Sequence, residues 1–256
     1  MISESIMLPS MGIPYNKLEG SSLRVSPITT KIYKDFLINS EDDGIINMLD
    51  GCLVDSPLKA EELVYADQLA LLFKIRSMSL GSEIKIRVHC PHCNNEINVL
   101  WDLMNADCEY LSAESYPFKV TLPESKTEIN IFIPNSKMRR LAREEAKKRA
   151  DKFSKKISDF LPQLMICSQL QVQGCMDIIE KLQWYESLSL IDSIYIDSII
   201  DNIQNFGIST QQILKCTECE GDLSVNLMID QNFFRPNFDL PTTICRTTKG
   251  KLATGI

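Results

Sequence analysis

"RVHCPHCNNEINV" at residues 87–99 and "ILKCTECEGDLSV" at residues 213–225 repeat one pattern. Each holds a Cys-x-x-Cys: Cys90 and Cys93 in the first, Cys216 and Cys219 in the second. Each pair lies between two runs that alternate apolar and polar residues, so each reads as a hairpin with the cysteines at its turn. Knuckles of this kind turn both sulfurs of a pair toward one ion, and two of them complete a tetrahedral four-thiolate shell about 2.3 Å from a metal. The pattern predicts a zinc ribbon split by an insert. Residues 94–215, 122 of them, separate the two pairs; the compact pattern has roughly 15–20. The insert must therefore be folded, with its ends brought back to one place. Zinc held this way is structural and clips the middle of the chain to its end, because a closed four-thiolate site leaves no position for a substrate.

Two other chemistries use the same residues. Cys-Pro-His-Cys is also carried by thioredoxin-fold oxidants, where the pair opens a helix whose N-terminus lowers the thiolate pKa. Here Asn94-Asn95-Glu96-Ile97-Asn98-Val99 follows, a turn and then a strand pattern, and Cys216 and Cys219 would have no role. An iron–sulfur cluster also takes four cysteines, but the compact ferredoxin spacing is missing. His89 and His92 are the chain's two histidines. Four cysteines make either one unnecessary as a ligand, so they read as surface groups near the site. Cys52, Cys108, Cys167, Cys175 and Cys245 have no partner at ligand spacing and read as buried small hydrophobes.

The chain has 256 residues, 44% of them hydrophobic and 24% charged, enough for one large domain or two small ones with a real core. No window of about 18 residues is continuously apolar, and "MISESIMLPSMGIPY" lacks a basic n-region and an apolar h-region. Neither a membrane span nor a secretory signal is expected, and nine cysteines then point to a reducing compartment. There is no Gly-rich phosphate loop, no G-x-S-x-G and no H-E-x-x-H, and the only histidines belong to a knuckle. The expectation is a protein that is not an enzyme.

The fold class expected is α+β: a mainly helical body with short β-hairpins and the split four-cysteine zinc ribbon. The chain divides into an extended N-terminal arm with a short strand (1–28), a helical region (29–82), β-hairpins with the first knuckle (83–135), a helical insert (136–207), the second knuckle hairpin (208–235) and a tail (236–256). Within these, "SLRVSP" predicts a strand, and "TTKIYKDFLIN" and "GIINMLDGCLV" predict helices, the first capped by Thr29 or Thr30. In "SPLKAEELVYADQLALLFKIRSMSLG" the spacing predicts one long helix with Ser56 as N-cap, Pro57 at its first position, Gly81 as its stop and an apolar stripe through Leu63, Leu69 and Phe73. "PFKVTLPESKTEINIFIP" predicts a hairpin turning near Pro123–Lys126, and residues 162–206 two or three helices ended by Gly207.

Residues 137–156 carry ten Lys or Arg against three acids, in a chain of net charge −7. Leu141, Ala142, Ala146, Ala150, Phe153 and Ile157 give this helix a narrow apolar stripe, with the cations on its other faces. Three uses remain open: a solvated charged helix, a contact for an acidic protein partner, or nucleic-acid binding. The acidic balance of the whole chain argues against generic nucleic-acid binding.

"LPSMGIPY" (8–15), followed by "LRVSPITTKIYKDFL" (23–37), resembles the small baseplate hub and hub-assembly proteins of T4-like contractile-tailed bacteriophages. Those chains often begin with Leu-Pro-Ser, a Gly and an aromatic near a Pro, then a short strand and R-P-x-T before a helix. Here Val25 and Ser26 stand between Arg24 and Pro27. The Cys-x-x-Cys hairpin soon after a long helix and the "INIFIP" strand fit as well, so the resemblance spans roughly the first 135 residues. It implies a virion tail baseplate component, assembled in the host cytoplasm, that binds other baseplate or hub proteins. A permanent hub subunit and a transient assembly chaperone are both compatible with it. It also implies that the Pro-rich N-terminus and the 236–256 tail lie in contacts between subunits.

Overall fold

The computed structural model describes residues 2–38, 41–113, 115–229 and 231–234. The predicted tail contacts of 236–256, and Cys245, lie outside the described residues. The fold is α+β, with seven α-helices and several small antiparallel sheets among the described residues.

Strands β1 (Glu4–Met7) and β2 (Ser22–Val25) pair antiparallel, and the loop between them folds inward. Leu8, Pro9, Ser10 and Tyr15 are buried, so this N-terminal segment is docked on its own chain over these residues. Helix α1 (Thr30–Ile38) starts with Thr29 Oγ1 accepting the N–H of Ile32. Helix α2 (Glu41–Cys52) runs straight into β3 (Leu53–Val54), which joins the edge of β2.

Helix α3 (Tyr65–Leu80) is shorter than the sequence predicts. Ser56 does not cap it. Its hydroxyl instead exchanges hydrogen bonds with the backbone of Leu58, and a single 3-10 turn follows at Ala60–Glu62. The chain is then extended through Leu63 and Val64, where Val64 pairs with Asn135. Gly81 ends the helix with φ 89°. The helix is buried nearly all round rather than along one stripe, because sheet, loop and helices cover it on every side: Asp67 to Ile75 are inaccessible except for Lys74. Arg76, fully buried, donates from Nε to the carbonyl of Phe233 and from its guanidinium to that of Gly81, which pins residues 233–234 to the helix end.

β4 (Glu83–His89) and β5 (Glu96–Asp102) form the first knuckle hairpin. Their alternation puts Ile84, Ile97, Val99 and Trp101 in the main core with Leu8, Met48, Leu71 and Ile75. Each such side chain contributes about 1.5–3 kcal/mol on full burial. A two-residue strand, β6 (Cys108–Glu109), leads to a separate body. There β7 (Phe118–Thr121) and β8 (Glu128–Ile131) make the predicted hairpin.

Helix α4 (Ser136–Phe153) is capped by Asn135, whose Oδ1 accepts the N–H of Met138 at 2.9 Å, and stops at Ser154 in the left-handed region. Only the alanines of its expected stripe are buried. Ala142 and Ala146 pack against Leu164, Cys167 and Leu182, whereas Leu141, Phe153 and Ile157 are exposed. Helix α5 (Leu161–Gln169) is followed at once by β9 (Leu170–Val172), a strand inside a stretch predicted as helix. It pairs with β8 and sends Leu170 and Val172 into the same small core as Ile129 and Ile131. Helices α6 (Ile178–Glu186) and α7 (Leu190–Ile203) complete this body, Ile196 and Ile200 facing its sheet.

The return is made by β10 (Gly207–Ile208), which pairs with β6. Gly207 does not end α7. At φ 116° it brings the backbone against α3, where an added Cβ would sit 2.8 Å from Ala66 Cβ. The chain then enters β11 (Gln211–Lys215) and β12 (Asp222–Asn226), the second knuckle hairpin, with Leu223 and Val225 in the main core.

Candidate metal centre

The two hairpins bring their turns together. Cys90 lies at the end of β4, Cys216 at the end of β11, and both are buried. The four sulfurs of Cys90, Cys93, Cys216 and Cys219 all lie within 4.8 Å of one another. Across the knuckles, Cys90 Sγ is 3.6 Å from Cys219 Sγ and Cys93 Sγ is 3.8 Å from Cys216 Sγ. A tetrahedron with metal–sulfur bonds of about 2.3 Å has edges of about 3.8 Å. The spacing therefore fits one ion, and it is far too long for a disulfide bond of about 2.05 Å.

Backbone geometry supports the sulfurs. The N–H of His92 points at Cys90 Sγ and that of Glu218 at Cys216 Sγ, each at 3.4 Å. Asn94 and Glu220 turn their chains with φ 58° and 59°. Burial pushes the Cys90 thiol up, but the backbone N–H groups of Cys93 and His92, together with the neighbouring Cys219 and Cys93 thiols, bring it down to about 6. After Cys93 the chain turns at Asn94 and enters β5, so the pair does not open a helix as a thioredoxin-type dithiol does. His92 lies against the second knuckle, Nε2 3.1 Å from the carbonyl oxygen of Asp222.

The remaining described cysteines are free. Cys52 and Cys167 are buried, their thiols pushed up by that burial to about 11 and about 12. Cys108 and Cys175 are only half-buried, so the reading of all five as core residues holds for two of the four described.

A second constellation went unnoticed in the sequence. Asp67, on the buried face of α3, accepts Ser10 N–H at 2.9 Å, Ser10 Oγ at 2.5 Å and Tyr15 Oη at 2.6 Å. Burial raises its carboxyl above the usual range in spite of these donors. Ser10 and Tyr15 belong to "LPSMGIPY". The signal available was a lone acid among apolar helix residues, which needs local donors when buried.

On α4 part of the positive charge is already engaged. Arg140 pairs with Glu61 at 2.8 Å, the Arg139 guanidinium stands over the Tyr65 ring, and Lys148 and Arg149 reach Glu145. Lys137, Lys147 and Lys156 are exposed. Among the described residues no helix is long and apolar enough to cross a membrane.

A family model described as "T4 bacteriophage base plate protein" matches residues 11–235. No curated protein and no solved structure matches the chain.

Proposed function

The chain belongs to the T4 bacteriophage base plate protein family, and from that premise we propose that it is a non-enzymatic structural subunit of the hub region of a contractile tail baseplate. It acts by protein–protein contact, and a structural zinc ion closes its fold. The family match over most of the chain carries this reading. Its baseplate location follows from the family; the hub position and assembly in the host cytoplasm are part of the proposal.

The geometry supports the non-enzymatic part because the groups with chemistry to offer are used internally. The four cysteine sulfurs face one another, and Asp67 is closed off by Ser10 and Tyr15. Cys90, Cys93, Cys216 and Cys219 would hold the ion, which supplies the folding free energy that structural zinc brings to such sites. Contact with other subunits has a surface available: α7 exposes Leu190, Ile191, Ile194 and Tyr195 at helical spacing, and patches of this kind mark interaction sites.

Mass spectrometry of purified virions tests the structural role. The protein should be present in stoichiometric amount with other baseplate proteins. Its absence from virions, with presence in assembly intermediates, would instead make it a transient assembly chaperone. Metal analysis of the purified chain should find one equivalent of zinc.

A further inference from the structure

The two knuckles are one turn used twice. Cys90 N–H donates to the carbonyl of Asn95 at 3.0 Å, and Cys216 N–H donates to that of Gly221 at 2.9 Å. Asn94 and Glu220 hold the same left-handed place and donate back to the carbonyls of Cys90 and Cys216. Asn95 and Gly221 are therefore equivalent positions, and so are His92 and Glu218.

One contact breaks the equivalence. The His92 ring crosses to the second knuckle, where its Nε2 lies 3.1 Å from the Asp222 carbonyl oxygen. A Cβ added at Gly221 would fall 2.5 Å from His92 Cδ2 and 2.9 Å from its Cγ. Gly221 is not among the glycines with positive φ, so its backbone conformation does not call for glycine. The ring lying on it does.

We infer that His92 is a positioning residue for the four-thiolate site: its ring, seated on Gly221 and bonded to the Asp222 carbonyl, clasps one knuckle to the other. His92 is not a ligand itself, since the mutually close donor set consists of the four cysteines. The clasp acts on the metal by fixing the distance between Cys90–Cys93 and Cys216–Cys219 before the ion arrives. Partners outside the ligand shell commonly change metal affinity by about 10–100-fold. The inference rests on the four-thiolate reading.

The test is a zinc affinity measurement on the full-length reduced chain, by competition with a chromophoric chelator, for wild type, His92→Ala, Gly221→Ala and the double variant. Each single variant should bind zinc about 10–100-fold more weakly. The double variant should be no weaker than His92→Ala, because the new methyl has room once the ring is gone. Wild-type affinity in His92→Ala, or an equal loss from Gly221→Ala in both backgrounds, overturns the clasp. Failure of the four-thiolate reading looks different: wild type itself then takes up no zinc. In that case the melting temperatures of the four metal-free chains decide the clasp, with the same non-additivity expected.

Discussion

Tyr15 donates its phenolic hydrogen to Asp67 Oδ2 at 2.6 Å, and the Tyr15 Oη in turn accepts the N–H of Val64 at 2.8 Å, at the residue before α3 begins. One side chain thus fixes both the N-terminal loop and the start of the central helix. The "LPSMGIPY" stretch, which carried the family resemblance, works here as an internal staple: Ser10 supplies two more donors to the same carboxyl.

Asp67→Asn sets an amide N–H₂ either against both hydroxyls, which share Oδ2, or against the Ser10 N–H at Oδ1, in place of an acceptor. The expected loss is about 1–3 kcal/mol, read by urea unfolding. The pH dependence has a definite sign. Burial raises the Asp67 acid above its ordinary 3.8. Between that value and the raised one, the folded chain keeps a proton that the unfolded chain has released. The contribution of this group is then fully present below 3.8 and declines as pH rises through the raised value. The lead of wild type over Asp67→Asn should narrow as pH rises. A lead that widens would mean the carboxyl is held ionised.

Much of the architecture was legible because its signals are local. The alternation in "EIKIRVH" and "EINVLWD" marks both strands of a hairpin, and the four cysteines announce their own meeting point. What failed depends on partners far away in sequence. Ser56 and Pro57 look like a helix start, yet α3 waits until Tyr65 because Val64 is held extended by Tyr15 and Asn135. Leu170 and Val172 follow a helix directly, and only the edge of β8 makes them a strand. Gly207 looks like a helix stop, but the close passage past Ala66 is what requires it. Leu141 and Phe153 matched the helical period of α4, yet Ala142 and Ala146 are the positions that pack against α5 and α6, and the two larger side chains stay exposed.

Cys216→Ser should remove metal and stability together, because the free energy of a structural site is folding free energy. The expected readouts are less than one equivalent of zinc and a lower melting temperature. Lowering the pH or adding a strong chelator should act on wild type in the same direction, since the thiolates must be deprotonated to bind. Full metal content and unchanged melting in Cys216→Ser would rule out the four-cysteine site.

The α4–α5 contact gives a packing test. Ala146 is fully buried against α5, so Ala146→Leu should cost about 1–3 kcal/mol by overpacking. Leu141 is 52% exposed on the same helix, so Leu141→Gln should stay within about 0.5 kcal/mol of wild type. Chemical denaturation of both variants checks the pair. Equal losses would mean that the outer face of α4 is covered in the folded chain.

The pairing of β6 with β10 makes the strongest claim about how the chain is built. Glu109 lies opposite Gly207 and Cys108 opposite Ile208, and Ser209 N–H donates to the Asp107 carbonyl at 2.8 Å. The two strands are thus already an antiparallel pair whose connection happens to be the whole body from 110 to 206. A two-residue Asn-Gly turn joins such a pair with the right twist. A chain in which that turn replaces residues 110–206 should still fold around the main core and bring Cys90, Cys93, Cys216 and Cys219 together. It should also be less stable, because Ile133 leaves the main core and the contacts of Asn135, Ser136 and Arg140 with Glu62, Gln68 and Glu61 are lost. Metal stoichiometry with thermal melting by circular dichroism checks both statements. One equivalent of zinc at a lowered melting temperature is the expected result. A shortened chain that neither folds nor binds metal would show that the ribbon and its insert are a single cooperative unit.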